Sequence, residues 1–80
     1  MKMTMEELVY MYDQLFKKFV PRGRLQDCRK EGDGTYVILY IDDADATTPY
    51  KVRRMTKDGL FGDCAETSLY IAGLYFSGLD

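Results

Sequence analysis

From Thr4 to Val20 the chain reads TMEELVYMYDQLFKKFV, with apolar side chains recurring at three- and four-residue spacing. On an α-helix, Met5, Leu8, Val9, Tyr12, Leu15, Phe16 and Phe19 would form one stripe, with Glu6, Glu7, Asp13, Gln14, Lys17 and Lys18 mostly off it. The helix start is encoded locally. Thr4 can cap the first turn with Glu7 as its capping-box partner, and Met3 can staple onto Leu8, together contributing on the order of 1 kcal/mol. Pro21 and Gly23 end the segment, and the acids-first, bases-last order suits the helix dipole. The rest of the chain is expected to pack on this helix.

Eighty residues make one domain, 1–80, with a small core. Area scaling predicts that only about 60% of the unfolded surface is buried, so stability is modest and self-association or a partner is favoured. At 46% hydrophobic and 30% charged residues the composition is that of a globular domain, and no apolar run approaches a membrane span. Glu6 and Glu7 interrupt the place where a signal-peptide core would lie, which points to an intracellular, cytoplasmic protein. In that compartment Cys28 and Cys64 are expected reduced and packed.

Beyond the helix, Arg24 to Lys30 reads as an edge strand and Glu31-Gly32-Asp33-Gly34 as a turn. Thr35 to Ile41 (TYVILYI) is the clearest strand, β-branched and aromatic throughout and apolar on both faces. Tyr36, Ile38 and Tyr40 point one way; Val37, Leu39 and Ile41 point the other. The loop Asp42 to Pro49 leads to a third strand, Tyr50 to Thr56, followed by a turn at Lys57-Asp58-Gly59. Leu60 and Phe61 are expected to plug the core. Asp63 and Glu66 can then open a second helix over 64–77, with Gly78 as its stop. The run Thr67 to Phe76 also favours strand, so a fourth strand is the competing assignment. The expected fold is α+β, in the order α-β-β-β-α: a three-stranded antiparallel meander with two helices packed on one face. This order resembles that of the double-stranded-RNA-binding domain. That family opens its second helix with a basic, alanine-rich motif, whereas Gly62 to Ser68 here holds two acids and no base.

The residue inventory argues against an enzyme. There is no histidine, so the commonest general base and the commonest neutral metal ligand are both missing. Cys64 at a helix start would have its thiol activation opposed by Asp63 and Glu66. Asp43, Asp45 and Thr47 alternate as calcium ligands do, but the loop lacks the glycine and glutamate an EF-hand requires. No nucleotide-binding glycine pattern occurs, and no cofactor is expected.

Binding is better supported. The net charge of −2 conceals two basic clusters, Lys17 to Lys30 and Lys51 to Lys57, which hold ten of the eleven basic residues. The acidic loop of Asp42, Asp43 and Asp45 lies between them. With the helices on the Val37 face, Tyr36, Ile38 and Tyr40 would form an open platform beside Lys51, Arg53 and Met55. On the last helix, Ile71, Leu74 and Tyr75 fall opposite the core-facing Ala65, Leu69, Ala72 and Phe76. A second copy of the chain would cover that side, with Ala72 and Gly73 allowing close approach. The expected function is therefore a non-enzymatic intracellular protein-interaction module, a homodimer or a small accessory or inhibitor protein of phage or mobile-element type. It would bind through Tyr36, Ile38, Tyr40, Arg53, Ile71, Leu74 and Tyr75, with the acidic loop set against a basic groove. The alternative is nucleic-acid binding through Arg22, Arg24, Lys51, Arg53 and Arg54.

Overall fold

The computed structural model describes residues 3–79, apart from the side chains of residues 63 and 64. A first helix (residues 5–19) leads into strands β1 (Gly23–Lys30), β2 (Tyr36–Asp42), β3 (Tyr50–Thr56) and β4 (Gly59–Glu66), and a last helix (Leu69–Gly78) follows. The four strands form one antiparallel sheet in sequence order. The fold is thus α+β, with a helix, an antiparallel meander and a helix in that order. It differs from the expectation in two respects, a fourth strand and the placement of the helices.

The fourth strand takes residues assigned above to a core plug and to the start of the helix. Leu60 pairs with Met55 and packs on the core, while Phe61 pairs with Arg54 and stays largely exposed. Gly62 takes a positive φ of 61° where the pairing shifts register between Val52 and Arg54, a conformation that suits glycine. Backbone pairing carries β4 through Cys64 and on to Glu66, so the last helix begins only at Leu69. The expected capping role of the Asp63 side chain lies outside the described residues.

The helices lie on opposite faces of the sheet. Under the first helix, Tyr36, Ile38, Tyr40 and Met55 join Met11, Leu15, Phe16 and Val20 in one cluster. On the other face Val37, Leu39 and Val52 pack against Ala72 and Phe76 of the last helix. The cause is β2 itself: its apolar side chains alternate to both faces, and each face needs its own cover. The likeness to the RNA-binding domain therefore ends with the order of the elements.

The first helix keeps its expected start. Thr4 Oγ1 accepts from the Glu7 amide and Glu7 Oε1 accepts from the Thr4 amide, both at 3.1 Å. Its interior departs from α geometry: Met5–Tyr10 is α-helical, Met11–Phe16 is a π-helix, and Lys17–Phe19 returns to α. The Lys17 amide donates to the carbonyl of Tyr12, five residues back. A wider turn brings residues four and five apart onto one face, so Met11, Leu15 and Phe16 all reach the core. In an α-helix Met11 and Phe16 would stand about 140° apart at 3.6 residues per turn. The shift corrects the expected stripe. Met11 is fully buried, whereas Met5 and Val9 are 72% and 51% exposed. Phe16 closes the cluster edge-on to Tyr40, their ring centroids 5.5 Å apart.

The chain leaves the helix through a close approach at Gly23. A Cβ there would lie 2.5 Å from Val20 Cγ1 and 2.8 Å from the Phe16 ring tip, both in packed core. Gly23→Ala is expected to lower unfolding stability by roughly 1–3 kcal/mol, as overpacking does. In the same urea denaturation series Met11→Ala should cost about 2–5 kcal/mol and Val9→Ala less than about 0.5 kcal/mol. A larger loss at Val9 than at Met11 would mean the helix carries the plain α stripe.

Candidate interaction surface

The last helix is LYIAGLYFSG, ten residues with no acidic or basic side chain. Ser68 precedes it without a side-chain cap, and Gly73 disfavours it by about 1 kcal/mol relative to Ala, so its stability comes from packing. Ala72 and Phe76, four apart, press on the Val37/Leu39/Val52 face. Its end is held from β1. The Arg29 guanidinium lies 4.7 Å over the Phe76 ring, donates from Nη1 to the Phe76 carbonyl at 2.9 Å, and donates from Nη2 to the Leu79 carbonyl. A cation on terminal carbonyls matches the negative end of the helix dipole, so the sheet supplies the base that the helix lacks.

With Ala72 and Phe76 inward, the opposite side of the helix faces solvent. Tyr70 is 72% exposed, Leu74 55%, and Ile71 and Tyr75 44% each, whereas Leu69, on the Ala72 and Phe76 side and expected in the core, is 40% exposed at the start of the helix. Tyr75 reaches a small cleft with Arg54 and Gly62 of the neighbouring strands, on the sheet face that also carries Phe61. The exposed fractions of Tyr70, Ile71, Leu74 and Tyr75, the four on the outer side of the helix, amount to about two whole side chains, or about 400 Å² at roughly 200 Å² each. That lies within the ~300–600 Å² range for the largest apolar patch on a monomer, patches that often serve a function. A Cβ built on Gly73 meets nothing within 4 Å, so the surface beside Leu74 is open.

Ile71, Leu74 and Tyr75 therefore stand where helical spacing put them, on one accessible face. The sheet platform does not: Tyr36, Ile38 and Tyr40 are buried beneath the first helix, because that helix covers the face expected to be open. Arg53 is partly buried, its Nε donating to the Gly62 carbonyl at 3.1 Å, and it lines the same small cleft as Tyr75. Tyr70 and Phe61 went unrecognised from sequence. For Tyr70 the signal was present, four residues before Leu74, once the helix is started at Leu69; Phe61 depends on a strand pairing that no local pattern specifies.

The basic residues of the nucleic-acid alternative are engaged within the chain, several of them by the acidic loop. Arg24 forms a two-pronged pair with Asp43 at 2.9 and 3.0 Å, and Arg22 reaches the Asp43 carbonyl at 3.4 Å. Lys51 meets Asp45 at 2.8 Å, and Arg54 meets Glu31 at 3.5 Å. The Lys51 ammonium, with the Thr48 and Thr47 amides, holds the Asp45 carboxyl far below its ordinary range, and Asp45 in turn raises Lys51. Asp42 turns back to accept from the Ala44 amide at 3.0 Å. Loop and bases thus neutralise one another. Burial pushes the Tyr40 phenol up, with the nearby Arg53 partly opposing it.

Cys28 is a free, partly buried thiol, raised by burial and by Asp27, with Met3 Sδ at 3.7 Å. That environment opposes thiolate formation. Cys64 lies in β4 by its backbone, not at a helix start; its side chain, and so any bridge to Cys28, lies outside the described residues. Among the described residues no group of three potential metal ligands converges, and no helix is long and apolar enough to cross a membrane. Compared with protein-family models, with curated proteins and with solved structures, the chain matches none.

The Asp45–Lys51 pair has a defined pH signature. A carboxyl depressed in the folded state stabilises fully above its unfolded value of 3.8 and loses that contribution as pH falls towards the folded value. The Tm difference between the wild-type chain and Asp45→Asn should therefore hold from neutral pH to about 4 and narrow below it. A difference that vanishes already near pH 6 would mean the pair does not form.

Proposed function

We propose that the chain is a non-enzymatic, intracellular protein-interaction module that acts as a homodimer, joined through the outer face of the last helix. The observation that carries this reading is an apolar face of about 400 Å² on a helix without a single charge. A face that carries no charge meets its own copy without like-charge repulsion, as an isologous two-fold contact requires. Its area is about half of the ~800 Å² that each partner gives to a standard interface, and rim residues such as Phe61 and Leu69 can supply more. Leu74, at the centre of the face, would sit on the two-fold axis. Gly73 lets the backbones approach, which gives a reason for a glycine where alanine would fit and favour the helix. Such a dimer would serve as an accessory or inhibitory protein acting by occupying a surface.

Size-exclusion chromatography with light scattering tests this directly. The wild-type chain should run at twice the 9.3 kDa of one copy, and Leu74→Glu at one copy with its far-UV circular dichroism retained. Gly73→Ala should raise the stability of the monomer by up to about 1 kcal/mol while weakening the dimer. A wild-type chain that stays at one copy at high micromolar concentration ends the reading.

A further inference from the structure

The π-helical turn leaves a second apolar strip outside the core, and its chemistry is unlike that of the last helix. Met5, Val9 and Tyr10, each more than half exposed, line a shallow groove of about 370 Å³ together with Glu6, Asp13 and Gln14. Val9 and Asp13 also border a second depression, against Leu8, Tyr12 and Leu25, so they form a ridge between two hollows. The strip covers about 12 Å of helix at 1.5 Å per residue, the length of two turns of a partner helix.

Charge decides what fits. Glu7, one residue from Glu6, is engaged by Lys30 at 2.8 Å, and Glu31, Asp43 and Asp45 each have a basic partner. Glu6 and Asp13 have neither a hydrogen bond nor an ion pair among the described residues. Two carboxylates without a partner among the described residues therefore flank an apolar strip. A second copy is a poor occupant, because a two-fold axis midway between Val9 and Tyr10 would set Glu6 of one copy against Asp13 of the other. An anionic membrane surface is opposed by the same two charges.

We infer that this face of the first helix is a docking site for a cationic amphipathic helix of a different protein. Such a helix would lay aliphatic side chains along Met5, Val9 and Tyr10 and bring lysine or arginine to Glu6 and Asp13. The site is independent of the dimer face: the two lie on helices covering opposite faces of the sheet, so one chain can be engaged at both.

The test titrates the wild-type chain with a helical peptide of leucine and lysine, about four turns long and amphipathic, with a scrambled peptide of equal composition as control. Amide NMR shifts should concentrate at Met5, Glu6, Val9, Tyr10 and Asp13, with saturable binding by the amphipathic peptide alone. The double variant Glu6→Lys with Asp13→Lys should weaken binding by roughly tenfold or more and leave the mass in solution unchanged. The inference is overturned by any of four results: no saturable binding, equal binding of the scrambled peptide, shifts centred on Ile71 and Leu74, or an affinity indifferent to the charge reversal. Because the mass is read separately, loss of this site and loss of the dimer are told apart.

Discussion

A strand that is apolar on both faces cannot be buried by one helix. In β2, Tyr36 to Tyr40 are all buried, and each full burial of such a side chain is worth on the order of 1.5–3 kcal/mol. That gain is collected only if both sides of the sheet are covered, so the chain sends its first helix to one side and its last to the other. The result has three thin layers, and a helix in an outer layer has nothing beyond it. The exposure of apolar side chains on both helices follows from that geometry.

Much of this was legible wherever the determinant is local. The capping box at Thr4 and Glu7 formed as written, the turn before β2 closed with Asp33 accepting from the Thr35 amide, and β2 and β3 occupy the segments their β-branched residues marked. What could not be read depends on distant partners. The segment from Gly59 to Glu66 is a strand because β3 offers it an edge, and its own residues suit either assignment. The alternation of β2 implied two covered faces, yet nothing in it says which helix takes which. Hence Ile71, Leu74 and Tyr75 were found from the spacing of one helix, while Tyr36 and Tyr40 were expected on an open face that the first helix covers.

The π turn is the least legible feature and the most consequential. An α-helical stripe through Met5, Leu8, Val9 and Tyr12 fits the sequence well, and Met11 lies outside it. The sheet beneath presents Tyr36, Ile38 and Tyr40, bulky side chains that leave a wide gap for the helix to fill, and Met11, Leu15 and Phe16 together fill it. Packing at native density outweighs the poorer hydrogen-bond geometry of the wider turn. Val9 is displaced outward as Met11 turns in. A single change of helical phase therefore sets both the core of one layer and the character of its outer surface.

Electrostatics then distinguishes the two outer surfaces. Arg24, Lys51 and Arg54 each pair with an acid of the same chain, Asp43, Asp45 and Glu31. Arg29 is turned inward to the carbonyls of the last helix and anchors it to the sheet, while the helix itself carries no charge on its outer face. Beside its apolar strip the first helix keeps two carboxylates that have no ion pair among the described residues. Two hydrophobic surfaces on one small protein risk indiscriminate association unless each rejects the other's occupant. The acids on the first helix supply that rejection: they disfavour the uncharged face of the last helix, which offers no cation in return for their desolvation, and they disfavour a second first helix by direct repulsion. On the dimer and docking readings proposed above, the positions of Glu6 and Asp13 would be enough to keep the two surfaces apart.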